Sequence, residues 1–230
     1  MKEYTRKVQS FLERRRDERQ AESMSMASQG VHKFLGIKKN KLKELFKTIF
    51  KTYPLPQYDE TKEIIRELFS MAEREYLYFG IALFARRKKL WQKIDIVFIE
   101  NMLLSRPEWD TTEYISSNII SPFYEKYPGI TSKFLDIWSA SKNPWLKAST
   151  IIFQRTSKEK TDTTLLQKYI TENISTDNDI VNKAIWTALR NYSKYNHKWV
   201  LNFIMQNSVN MSQKTKQEAI KWIDNKRLIN

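Results

Sequence analysis

Four segments of the chain recur at a spacing of 36 residues, and that period restricts the fold more than any single motif. Trp109, Trp145 and Val181 stand 36 apart, as do Tyr76, Thr112, Ala148 and Ala184. Lys147-Ala148 is echoed by Lys183-Ala184 and, one residue out of step, by Glu218-Ala219. Each copy opens an apolar helical pattern after a break, at Arg106-Pro107, Asn143-Pro144 and Asp177-Asn178. A period in the mid-thirties without a strand pattern specifies stacked helical hairpins. Such a stack has a concave face, and the side chains lining it decide what it holds.

Composition narrows the possibilities. Hairpins that share a continuous core have no internal boundary, so residues 1–230 are expected to form one domain. Gly 4 and Pro 6 are too few for an all-β fold with many tight turns. Cysteine is absent, which excludes disulfides and thiolate metal sites, and His32 and His197 alone make a histidine site unpromising. No metal and no cofactor is expected. The first residues are charged, with Lys2, Arg6 and Arg14-Arg15-Arg16 and no apolar stretch of signal-peptide type. No apolar run is long enough to span a membrane, so a cytoplasmic location is expected. The formal net charge is +14, and charge of that size calls for a polyanionic partner. Nucleic acid leads, although Lys-, Asn- and Ile-rich chains of AT-rich genomes are basic for other reasons.

The apolar spacing predicts helices throughout. Residues 3–20 read as one helix with Tyr4, Val8, Phe11 and Leu12 on its apolar face, and residues 21–33 as a weaker one before Gly36. Asn40 is expected to cap a helix carrying Leu42, Leu45, Phe46, Ile49 and Phe50, which Pro54 and Pro56 stop. Later helices are expected near 64–69, 73–85, 94–105, 109–127, 131–140, 144–155, 163–174, 179–195, 197–206 and 212–226. Pro122 kinks or splits the one from 109 to 127. The total is about twelve helices, or six pairs. Trp91, Trp138, Trp222, Phe153 and Phe203 lie on apolar stripes and read as core.

Two stretches carry candidate chemistry. In Arg106-Pro107-Glu108-Trp109-Asp110-Thr111-Thr112-Glu113, Trp109 and Glu113 are four apart and share a helix face. An indole beside a carboxylate suits a cationic ring, which stacks on the one and is neutralised by the other. Asp110 and Glu113 also meet the ordinary preference for acids at a helix start. In the later repeat, Trp186 and Arg190 are four apart, and Arg190 is placed to clamp a phosphate. Cations recur at repeat starts and turns: Lys38, Lys39, Lys41 and Lys43, Arg86 to Lys89, Lys142 and Lys147, then Lys183 and Arg190. Equivalent positions of a solenoid project from one side, so these predict a basic concave groove that follows a phosphate backbone. There is no phosphate-cradling Gly-rich loop, nucleophile elbow or zinc spacing.

These residues resemble the AlkD-type DNA alkylation-repair glycosylases, the HEAT-like repeat DNA glycosylase superfamily. The likeness covers nearly the whole chain. It runs through Phe34-Leu35-Gly36-Ile37, Ile64-Ile65-Arg66-Glu67-Leu68, Glu73-Arg74-Glu75-Tyr76, Trp109-Asp110, Trp145-Leu146, Phe153-Gln154, Lys183-Ala184-Ile185, Leu189-Arg190, Tyr192 and Glu218-Ala219-Ile220-Lys221. The resemblance implies an all-α, right-handed solenoid of about six HEAT-like antiparallel pairs, acting as a monomer on double-stranded or structured DNA. It also implies excision of cationic N3- or N7-alkylpurines by an aspartate, flanked by two tryptophans, that stabilises an oxocarbenium-like state. Such catalysis uses no tight pocket for a flipped base.

Carried over residue by residue, Trp109 matches the first tryptophan, and the aspartate falls on Glu113. The second tryptophan falls on Thr187, one position after Trp186, and one residue turns a helical side chain by about 100°. An arginine that clamps phosphate falls on Ala148, beside Lys147, and an aromatic falls on Ala27. Departures that gather at the site while the scaffold is kept look most like the non-enzymatic branch related to AlkD. The catalytic candidates are Glu113, Trp109 and Trp186. The DNA-binding candidates are Lys38, Lys39, Lys43, Lys147, Lys183 and Arg190. The expectation is a DNA-binding protein with weak or absent base excision. The alternatives are an active alkylpurine glycosylase that uses Glu113, and a protein-binding scaffold.

Overall fold

The structure, a computed structural model, describes residues 1–227, with side chains described through residue 223. It is all-helical, with fourteen α-helices among the described residues and one isolated bridge pairing Lys33 with Glu73. The chain divides into two compact units, Met1–Trp91 and the part that starts at Gln92.

In the first unit, α1 (Glu3–Glu13) packs on α3 (Lys39–Thr52) and α4 (Tyr58–Ser70). Helix α5 (Arg74–Arg86) packs on both α3 and α4. The expected helix over 3–20 is two helices. The Asp17 side chain accepts the Gln20 N–H at 3.0 Å and starts α2 (Glu18–Ala27), while the Asp17 N–H donates to the Leu35 carbonyl at 2.9 Å. Arg16 is drawn sideways to Glu13 and Glu73, at 2.7 and 2.8 Å. With its N–H given to Leu35, Asp17 cannot continue a helix whose N–H groups bond four residues back. Helix α3 begins at Lys39, ahead of the expected Asn40 cap, and no side-chain bond caps it.

One buried carboxylate joins the two motifs of this unit. Glu75 is fully buried and accepts the N–H groups of Leu35, Gly36 and Ile37 at 2.9, 3.1 and 3.2 Å. Gly36 has φ of 84°, and a Cβ there would lie 2.1 Å from the Asp17 carbonyl oxygen. Only glycine fits that backbone and that gap.

The second unit repeats the hairpin. Its elements are α6 (Asp95–Leu104), α7 (Trp109–Ile115), α8 (Ser121–Lys126), α9 (Pro128–Ala140), α10 (Pro144–Ile152), α11 (Thr163–Thr171), α12 (Asp179–Tyr192), α13 (His197–Gln206) and α14 (Gln213–Arg227). Helices α7, α10, α12 and α14 pack in succession and form one layer. Helix α6 packs on α7, α9 and α10, while α11 packs on α10, and α13 on α12 and α14. The 36-residue period is the rise from one helix of the α7 layer to the next. Asn143 and Asn178 start two of its helices by accepting N–H groups of the first turn. Trp138 and Phe153 are core, at 0% and 1% exposed, whereas Trp222 is only half-buried.

Pro122 does split the expected helix over 109–127. A proline there cannot bond to the carbonyl of Asn118 and would clash with it. The chain answers with a π-helical turn, Ser116–Ile120, in which the Ser121 N–H reaches back five residues to the Ser116 carbonyl. Helix α8 then starts with proline in its first turn, where the missing N–H is harmless.

Candidate active site

Trp109 and Glu113 sit one turn apart on α7. The helix begins here because Arg106 takes a left-handed φ of 51° ahead of Pro107. The Glu108 N–H then donates to Thr111 Oγ1 at 3.1 Å, and Asp110 accepts the Thr111 N–H at 2.8 Å. Asp110 thereby serves the helix start, which leaves Glu113 as the carboxylate on the Trp109 face. Trp109 and Glu113 are both half-buried.

Both functional groups already have cationic partners. Lys183, on α12, holds its ammonium 4.4 Å from the centroid of the Trp109 ring. Arg155, in the turn after α10, places Nη1 3.4 Å from Glu113 Oε1. The two side chains of that pair are 28% and 24% exposed. Two cations thus face one carboxylate and one indole. Arg155 Nε is buried without a partner, as are the hydroxyls of Thr112, Ser116 and Ser117 around the π turn. These are four of the seven such atoms among the described residues. Buried polar groups left unpaired are uncommon in folded proteins, and here they fall on residues 112–117 and on Arg155, the partner of Glu113.

Arg155 was not foreseen. It lies 42 residues after Glu113, outside the 36-residue register, so the period carried no sign of it. Lys183 was expected to face phosphate, and its period partner Lys147 offered no hint that it would cover an indole.

A family model described as DNA alkylation repair enzyme matches residues 8–223. The chain belongs to this family. A solved structure described as a predicted DNA alkylation repair enzyme from Enterococcus faecalis shares the fold. It superposes with a TM-score of 0.79 at 23% identity, covering 90% of this chain and 96% of that one. No curated protein sequence matches the chain.

Within this alkylation-repair scaffold, the other expected site residues have separate surroundings. Trp186 is half-buried with the Lys214 ammonium of α14 5.6 Å from its ring centroid. Thr187, where the resemblance places the second tryptophan, is 5% exposed and packed inward. Ala148, where it places an arginine, is fully buried. Neighbouring Lys147 donates to Asn173 Oδ1 at 2.8 Å, and Arg190 pairs with Glu218 at 3.2 Å. Lys38, Lys39 and Lys43 belong to the first unit, are exposed, and have no ion pair among the described residues. Ala27, at the aromatic position of the resemblance, is exposed. No group of three or more metal-ligating side chains occurs among the described residues, and no described helix is long and apolar enough to cross a membrane.

Proposed function

We propose that this member of the alkylation-repair family binds double-stranded or structured DNA and has weak or absent base excision. One observation carries the reading: the Trp109–Glu113 pair is occupied by the protein's own Lys183 and Arg155. A cationic alkylpurine seeks the same two partners. To stack on Trp109 it must displace an ammonium whose cation–π attraction is about 1 kcal/mol, which leaves little net gain. It must also approach two cations set against a single carboxylate. Like unit charges about 4 Å apart repel by roughly 4 kcal/mol at an effective dielectric constant of 20, less where solvent reaches them. Glu113 is one methylene longer than aspartate, and a displacement of about 1 Å costs on the order of a hundredfold in rate.

The family match spans residues in both units, which supports treating residues 1–230 as one domain, and the proposed acting form is a monomer. Lys38, Lys39 and Lys43 are exposed and available to phosphate, and their contribution would fall steeply with salt. Lys147 and Arg190 would first have to leave Asn173 and Glu218.

The test is release of N7-methylguanine and N3-methyladenine from methylated duplex DNA, beside a binding titration at two salt concentrations. Release at the spontaneous rate, together with salt-sensitive binding, is expected. Excision that Glu113→Gln abolishes would overturn the reading. One observation favours that second reading. The Arg155–Glu113 contact of 3.4 Å is longer than the usual charge-assisted hydrogen bond of about 2.8 Å, so a substrate could break it.

A further inference from the structure

The first unit carries a basic cleft that nothing so far explains. Glu3, Arg6, Lys7 and Phe11 of α1 and its C-cap Arg14 line one side of it; the charged residues lie away from the buried Tyr4, Thr5, Val8 and Leu12, and half-buried Phe11 borders that apolar face. Tyr53, just past the end of α3, closes the other wall, and the cleft measures about 250 Å³. The Phe11 and Tyr53 rings meet edge to face, with centroids 6.5 Å apart.

The cations around this cleft are not alike. Arg16 is spent on Glu13 and Glu73. Arg15 lies 3.7 Å from the Phe11 ring centroid and donates to the Phe11 carbonyl. Lys2 pairs with Glu63, and Lys7 pairs with Glu3 while standing 5.8 Å from the Tyr53 centroid. Arg6 and Arg14 are exposed, line the cleft, and have no side-chain hydrogen bond or ion pair among the described residues. Arg6, Lys7 and Arg14 outnumber Glu3, so the cleft is a place for an anion.

We propose that this cleft, formed wholly by residues of the first unit, binds a segment of single-stranded nucleic acid. Arg6 and Arg14 are eight residues apart, about 12 Å along the helix axis. Guanidiniums at that separation serve two phosphates of one strand better than a single phosphate. The rings between them offer an unpaired base a surface to stack against, and Lys7 touches Tyr53 loosely enough to swing aside. Duplex DNA presents the phosphates but keeps its bases inside, so only a single strand uses the whole cleft.

Anisotropy of a labelled oligothymidylate of about ten nucleotides, titrated with the full chain, tests this. Relative to wild type, Arg6→Gln/Arg14→Gln should weaken binding about tenfold or more and reduce the salt slope by roughly 1.4, at about 0.7 per phosphate contact. Tyr53→Leu should also cost about tenfold, through lost stacking. Affinity for duplex should stay within about twofold in both variants, and Arg6→Lys/Arg14→Lys should keep most single-strand binding. No wild-type binding of the oligonucleotide would overturn the proposal. So would unchanged affinity in the double variant, or an equal loss for duplex. Thermal melts of each variant separate a lost contact from a lost fold.

Discussion

Glu75 on α5 and Glu113 on α7 are both helical glutamates, and they are held in opposite ways. Glu75 is sealed from solvent, with three backbone N–H groups fixed on its carboxylate. Burial pushes its carboxyl up from the ordinary value, and the N–H bonds only partly offset that. Glu113 keeps 24% of its side chain exposed and has one long contact to a flexible guanidinium. Fixed backbone donors make a carboxylate part of the scaffold. A single long side chain leaves it able to exchange partners, which is what a ligand site needs.

The strongest way to break this contrast is at the loop that Glu75 holds. Gly36→Ala puts a methyl group against Asp17 and Ala21 backbone at a left-handed φ, and backbone cannot swing aside. We expect a loss of about 4 kcal/mol, read by urea unfolding. Glu75→Gln replaces one accepting oxygen with an NH2 group that faces a backbone N–H and should cost about 2 kcal/mol. If it costs no more than a surface substitution, the structural role given to Glu75 is wrong.

Effects in the second unit should be smaller and of another kind. Lys183→Ala combined with Glu113→Asp uncovers the indole and shortens the carboxylate. Release of N7-methylguanine should rise about tenfold over wild type, about 1.4 kcal/mol in barrier. No rise would instead point to Thr187 and Ala148, where the resemblance expects tryptophan and arginine, as what limits release. Glu113→Gln alone should change unfolding free energy by less than about 1 kcal/mol, because its ion pair is partly exposed.

The smallest effect separates two carboxylates of the first unit by pH. Hydrogen bonding from Arg16, and then from Tyr76, holds the Glu13 carboxyl below its ordinary value. Its stabilisation is therefore complete above the usual glutamate range, about 4.3, and is lost as pH falls below it. Glu75, shifted upward, acts with the opposite sign: stability declines as pH rises from about 4.3 through its folded value. Unfolding curves from acid to neutral pH should lose the lower limb in Glu13→Gln and the upper limb in Glu75→Gln.

Some of this was legible before the structure. The period set the spacing of α7, α10, α12 and α14, because each hairpin must repeat to cover its neighbour's apolar face. The spacing of four put Trp109 and Glu113 together, since residues four apart share a face on any helix. Asn143 and Asn178 marked helix starts through chemistry contained within a few residues. The division of residues 3–20 at Asp17 was missed because it depends on Leu35 and Glu73, which lie far along the chain.

The sequence by itself determined the helical class, the repeat and the pairing of an indole with a carboxylate, all of which follow from spacing along the chain. Only the tertiary structure decided that Lys183 covers Trp109, that Arg155 answers Glu113, and that Arg6 and Arg14 have no ion pair among the described residues. The reach and direction of a long charged side chain depend on which helix lies beside it, and spacing along one chain does not carry that information.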